Sequence, residues 1–314
     1  MKFRSVRIFF IVVTLLFVWS CANQPLASML QAPSPAATVA KNLPTVTGVD
    51  LRHLPIGDGR ISVQPKVGSV WSCRTRFRNK GGAHASGDWI QADGTYNLTA
   101  KPTVNGAVHW PSQFTITLQN NIRTITGNRL PKSVTGKFPI SPDDDAYAYD
   151  RNPNSITAEA YQIKLPAIPQ ATEEPSCLPL GAIGVLTNGG YFFNALDARG
   201  EDAVAHEIQD SCQGHPERGG AYHYHSVTTC LEAQSKEHSA LLGYAFDGFG
   251  IYGHYDKNGK VLTNTDLDAC HGHTHEIEWD GKKQKLYHYH ATWEYPYTVG
   301  CYRGKPNSVT KIRR

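Results

Sequence analysis

The sequence predicts a mainly β protein, a sandwich or distorted barrel with long ordered loops, few short helices and an internal two-fold repeat. Three observations carry this expectation. Glycine (28), proline (19) and tyrosine (15) are abundant among 314 residues, while only 18% are charged; that balance favours strands and turns over helices. Several short stretches alternate apolar and polar residues, as half-buried strands do. One pattern of Asp, Cys, Gly, His and Tyr occurs twice, which argues for a duplicated unit.

At the N-terminus, Lys2, Arg4 and Arg7 precede an apolar run from Ile8 to Trp19. The run is too short to span a bilayer but fits the apolar region of a signal peptide, here 1–21. Ser20-Cys21 directly after it resembles a lipobox, in which Cys21 would be acylated and anchor the chain to a membrane. Trp19 fits that motif poorly; ordinary cleavage nearby or a retained anchor are the alternatives. Residues 22–45, rich in Ala, Pro, Ser and Thr, read as a flexible tether. A single β domain over 46–305 follows, then a basic tail over 306–314, expected to be solvated. Leader and tail supply six positive charges, and without them the formal +4 becomes near neutral. There is no electrostatic case for nucleic acid as a partner.

Within the domain, Phe114–Leu118 and Arg123–Thr126 alternate around Gln119-Asn120-Asn121 and predict a hairpin. Tyr161–Leu165 predicts a further strand, halted by Pro166. The four prolines between Pro166 and Pro179 suggest extended loop. Ala182–Leu186 reads as a short apolar strand stopped by Asn188-Gly189-Gly190. Thr229–Leu242 is the one candidate for a short helix. The segment Gly243–Gly253 predicts strand, tight turn and strand, with Asp247 as a turn carboxylate.

The histidine-rich part spans 182–304. Eleven of the 14 histidines lie between His206 and His290. The first copy of the pattern is Asp210-Ser211-Cys212-Gln213-Gly214-His215, then Tyr222-His223-Tyr224-His225, then Cys230. The second is Asp268-Ala269-Cys270-His271-Gly272-His273, then Tyr287-His288-Tyr289-His290, then Cys301. In a strand, alternate side chains share a face, so each motif puts two histidines on one side and two tyrosines on the other. The paired imidazoles stand roughly 6.5 Å apart at Cβ, close enough to lean onto one ion. His215, His223, His225, His273, His288 and His290 are therefore the expected metal ligands, with His223, His225, His288 and His290 facing a shared site that would hold one metal or two. Asp210 and Asp268 are candidates to orient a histidine, to ligate the metal or to act as a catalytic base. His271 and His275 would be accessory ligands; His206, His238 and His254 would be structural or at the surface. All-imidazole ligation without methionine suits divalent copper or zinc.

Six cysteines follow Cys21, and an even number fits an exported chain with disulfides. The two copies suggest Cys212–Cys230 and Cys270–Cys301, leaving Cys73–Cys177. Leu267 stands where a haem-attachment motif ending Cys270-His271 would need cysteine, so no haem is expected. Neither a phosphate-binding glycine loop nor a nucleophile elbow is present, and no nucleotide is expected.

These residues resemble the YHYH-domain family. The resemblance runs from about Val67 to Gly304 and includes Asp210-x-Cys212-x-Gly214-His215, both Tyr-His-Tyr-His motifs, the segment beginning Asp247-Gly248-Phe249, and Tyr295-Pro296-Tyr297-Thr298-Val299-Gly300-Cys301. Gly250 stands where that segment would be expected to carry proline. The resemblance implies an exported, bacterial-type protein, periplasmic or on the cell surface, and no particular reaction. Three function classes remain: a metal-binding protein, a metal-dependent hydrolase or oxidoreductase acting on some small molecule, and an envelope or adhesion module with a structural metal.

Overall fold

A computed structural model describes residues 48–77, 82–231 and 237–312. These lie in one compact unit, Thr38–Arg314. The signal peptide, the tether and Cys21 lie outside the described residues.

The described chain is mainly β, as expected, and its strands form five sheets, none closed into a barrel. Four two-residue strands come first: β1 (Leu54–Pro55), β2 (Ile61–Ser62), β3 (Val70–Trp71) and β4 (Thr95–Tyr96). The expected hairpin follows as β5 (Phe114–Gln119) and β6 (Ile122–Gly127). Asn120 and Asn121 turn it with φ of 52° and 60°, the left-handed pair that a two-residue hairpin needs and asparagine tolerates. β7 (Tyr161–Pro166) pairs with β6.

Two expectations differ from what is found. The proline-rich stretch holds a strand, β8 (Ala171–Ser176). Its partner lies 131 residues from Thr172, at Arg303, a pairing that local composition does not encode. The expected helix at 229–242 falls partly on 232–236, outside the described residues; 229–231 is turn and a strand begins at Leu241. The helix that does form is α1 (Ala203–His206), capped by Asp202, whose carboxylate accepts the N–H groups of Val204 and Ala205.

The largest sheet has eight strands. β9 (Ala182–Leu186), β10 (Tyr191–Phe193), β11 (Gly214–Pro216) and β12 (Tyr222–Tyr224) make one half. β13 (Leu241–Ala245), β14 (Gly250–Tyr252), β15 (Gly272–Trp279) and β16 (Lys282–His290) make the other. The order across the sheet is β11-β12-β10-β9-β13-β14-β16-β15. Strand for strand the pairings correspond. β12 runs parallel to β10 and β16 parallel to β14; His215 stands opposite His223, and His273 opposite His288. β9 and β13 join the halves at the centre.

Both Tyr-His-Tyr-His segments are buried on both faces, which is how a strand flanked by a parallel neighbour and covering loops is accommodated. The chain ends with β17 (Tyr302–Gly304), paired to β8, and β18 (Thr310–Lys311), paired to β7. The tail was expected to be solvated; its described residues are mostly exposed, and Lys311 meets Glu159 at 3.0 Å beside β7.

Three disulfides join Cys73–Cys177, Cys212–Cys230 and Cys270–Cys301, the expected pairing. They fit an oxidising, extracellular-type environment. Among the described residues no helix is long and apolar enough to cross a membrane.

Candidate metal centres

The hexapeptide Asp-x-Cys-x-Gly-His builds the same loop twice. Asp210 accepts the N–H groups of Cys212 (2.9 Å) and Gly214 (3.3 Å); Asp268 accepts those of Cys270 (2.9 Å) and Gly272 (3.1 Å). The residue before each glycine, Gln213 or His271, is left-handed, at φ 64° or 73°. Each aspartate also takes the hydroxyl of the first motif tyrosine, Tyr222 at 2.7 Å and Tyr287 at 2.9 Å. The tyrosine ring lies over the glycine on its way there. A Cβ on Gly214 would come within 2.4 Å of the Tyr222 ring, and one on Gly272 within 2.4 Å of both the Tyr287 hydroxyl and the His288 carbonyl.

Gly272→Ala is therefore expected to cost about 3 kcal/mol or more, because backbone as well as side chain must move. Gly281→Ala, where a Cβ meets nothing within 4 Å, should cost only about 1 kcal/mol for its left-handed backbone. Urea midpoints of the two variants would show this ordering or refute it.

Asp210 and Asp268 are thus placed on the tyrosine side of the motif strands. Neither orients a histidine of the clusters described below, because backbone amides and a tyrosine hydroxyl occupy both carboxylates. Burial raises the Asp210 pKa to about 6 against these hydrogen bonds. Asp247 serves the same face. It caps its own turn through Phe249 and accepts the Tyr289 hydroxyl at 2.5 Å.

On the opposite face the imidazoles gather. In the first half the ring Nδ1 of His223 lies 3.2 Å from the carbonyl of Ala221, and that of His225 lies 2.6 Å from the carbonyl of Asn194. In the second half His288 meets Leu286 at 3.0 Å and His290 meets Gly253 at 2.7 Å in the same way. A carbonyl only accepts, so each Nδ1 carries the hydrogen and each neutral ring presents an Nε2 lone pair. Those lone pairs converge. The Nε2 atoms of His223 and His225 are 3.1 Å apart.

The Glu207 carboxylate lies 3.1 Å from His225 Nε2 and 3.2 Å from His215 Nε2. Yet Glu207 Oε2 and both His215 ring nitrogens lack hydrogen-bond partners: the atoms are close, but no N–H is aimed along the line between them. Glu207, His215, His223 and His225, all buried, form the first cluster able to hold an ion.

The second cluster is richer in imidazole. His238 Nε2 approaches His288 Nε2 at 3.4 Å and His290 Nε2 at 3.2 Å. His238 and His275 are fixed through Nδ1 to the carbonyls of Ser239 (2.7 Å) and Glu276 (3.0 Å). His275 Nε2 lies 3.1 Å from Asp256. Two overlapping groups result, His238/His275/His288/His290 and Asp256/His273/His275/His290.

Burial and the surrounding rings hold His223, His273, His288 and His290 neutral. His223 and His290 are pushed well below the ordinary value, His288 to about 2 and His273 to about 4, each chiefly by burial and then by neighbouring histidines. Burial alone would raise the Glu207 carboxyl, but His215 and His225 outweigh it and hold the group well below the usual range. Behind α1, the buried Lys101 ammonium bonds the carbonyl of Val204 and the side chain of Gln209, and burial lowers its pKa to about 7.

The shared site expected for His223, His225, His288 and His290 is instead two separate sites. β12 and β16 are five strand spacings apart in the sheet, roughly 24 Å. His238, expected to be structural, joins the second cluster, as does His275. His271 is turned away: its Nδ1 meets the His290 carbonyl at 2.8 Å and its Nε2 meets Asn264 at 3.0 Å. His206 bridges the Ala85 carbonyl and Asp58. His254 stacks on Trp293 with ring centroids 4.3 Å apart. Glu207 and Asp256 were missed. Glu207 ends α1 only three residues before Asp210, but nothing in the motif distinguishes it from a surface glutamate.

Fold and clusters together define a disulfide-stapled β protein with histidine-rich candidate metal sites. Residues 162–262 match the family model described as YHYH protein, which supports the resemblance read from the motifs. The matched segment holds the first cluster; the second Tyr-His-Tyr-His lies beyond it. No curated protein and no solved structure matches the chain.

Proposed function

We propose that this chain is an exported metal-binding protein whose two Asp-x-Cys-x-Gly-His/Tyr-His-Tyr-His halves, products of a duplication, each build a centre for a divalent ion. One observation carries the reading: rings locked through Nδ1 aim their Nε2 lone pairs at common points, where like dipoles repel unless a cation sits between them. The spacing suits an ion. Tetrahedral zinc with nitrogen at 2.0–2.1 Å sets ligand atoms about 3.3 Å apart, and the closest ligand pairs lie at 3.1–3.4 Å. Imidazole and carboxylate donors suit zinc or divalent copper. The leader, a Cys21 acyl anchor and the tether would hold the domain at a membrane surface.

Metal analysis of protein made without a histidine tag tests this. Two equivalents of zinc or copper per chain are expected, with one retained in His223→Gln/His225→Gln and one in His288→Gln/His290→Gln. Folded protein that carries no stoichiometric metal, and takes up none on titration, refutes the reading.

A further inference from the structure

The two clusters differ in what lies in front of them. Glu207, His215, His223 and His225 all line one cleft of about 830 Å³, large enough for a small organic molecule. Its wall is apolar: Phe193, Leu180 and Leu196 line it, and the Phe193 ring stacks on His223 with centroids 3.8 Å apart. Arg151, Arg199 and Arg218 line it too.

Among the described residues the arginines in ion pairs are Arg52, Arg123 and Arg129; none of the three cleft arginines is held in one. Arg199 Nε is buried without a hydrogen-bond partner. The three other acids of the same lining match the arginines in formal charge, but their carboxylates are held in local contacts. Glu217 takes the N–H groups of Gly219 and Ala221. Asp197 takes those of Arg199 and Glu201 and faces His84. Asp150 is buried, which raises its pKa.

A divalent ion held by three neutral imidazoles and one carboxylate leaves a net positive charge, while the three guanidinium groups and the carboxylates of Asp150, Asp197 and Glu217 balance in formal charge. A low-dielectric wall concentrates that field. We propose that the first centre takes a small organic anion as an exogenous ligand, its oxygen on the ion or the arginines and its apolar body against Phe193. This rests on the metal reading above and assigns ligand exchange to the centre that lines the cleft.

Cobalt(II) exchanged into untagged protein supplies a visible spectrum. The His288→Gln/His290→Gln variant isolates the first centre and His223→Gln/His225→Gln the second, with cobalt content measured before any ligand is added. Benzoate and phenyl phosphate should shift the first centre's bands saturably, benzyl alcohol should not, and the second centre should respond to none. Arg199→Met and Arg218→Met, which leave the ligand set intact, should each weaken anion binding about tenfold.

Cobalt present at the first centre but insensitive to both anions overturns this inference alone. So does equal binding of benzyl alcohol, an equal response of the second centre, or unchanged affinity in both arginine variants. Absence of cobalt from the first centre overturns the metal reading with it.

Discussion

Asp247→Ala is expected to destabilise the protein by about 4 kcal/mol or more. The carboxylate is 2% exposed and accepts four hydrogen bonds that tie three segments together. Oδ1 takes the N–H of Phe249 within the turn; Oδ2 takes the Tyr289 hydroxyl and the N–H groups of Arg303 and Gly304. Alanine would leave the Gly304 amide of β17 and the Tyr289 O–H without this acceptor, each costing about 1–3 kcal/mol, while the Arg303 amide keeps the Tyr289 hydroxyl at 2.8 Å. Tyr289→Phe removes one of the four bonds to Asp247 and should cost about 1–2 kcal/mol, the Arg303 amide keeping Asp247. Urea unfolding with an unchanged slope would separate the two. Equal losses would mean that the carboxylate's link to β17 contributes nothing.

Metal removal has the other large expected effect. An ion that binds only the folded state stabilises it by about 4 kcal/mol when its free concentration is a thousand times its dissociation constant. Chelation of either centre should therefore lower the melting temperature by roughly 10 °C, at about 2–4 °C per kcal/mol for a chain of this size.

The metal-free protein should also weaken as the pH falls below the ordinary imidazole value of 6.5. In the fold His273 stays neutral down to about 4 and His288 down to about 2, while the unfolded chain takes up those protons near 6.5. Between these values the unfolded state holds more protons, so stability rises with pH and is lost on acidification. Calorimetry of chelated and reloaded protein between pH 4 and 8, a range set by these values, checks both statements. Identical melting with and without metal would contradict the linkage.

What was legible in the sequence is what local rules encode. Strict alternation placed histidines and tyrosines of each motif on opposite faces, and the shared order of residues in the two copies gave the disulfide partners. The hairpin at Asn120-Asn121 followed from turn chemistry. Asp280-Gly281, with φ of 52° and 74°, is the same kind of signal and marks the β15–β16 hairpin just as plainly.

Long-range placement was not legible. Nothing local says that β9 and β13 meet at the sheet centre, and that pairing is what carries the two motifs to opposite ends and splits the expected single site. The aspartates were misplaced because their partner, a tyrosine hydroxyl, lies on the face that alternation marked as packing. Glu207 and His238 reach the clusters from the end of α1 and from a loop, outside either motif, so spacing could not find them.

X-ray absorption at the metal edge of the untagged protein tests the central claim most directly. The account predicts nitrogen and oxygen neighbours at about 2.0–2.1 Å, outer-shell scattering from several imidazoles, and no sulfur near about 2.3 Å. A sulfur shell, or metal without imidazole scattering, would contradict it.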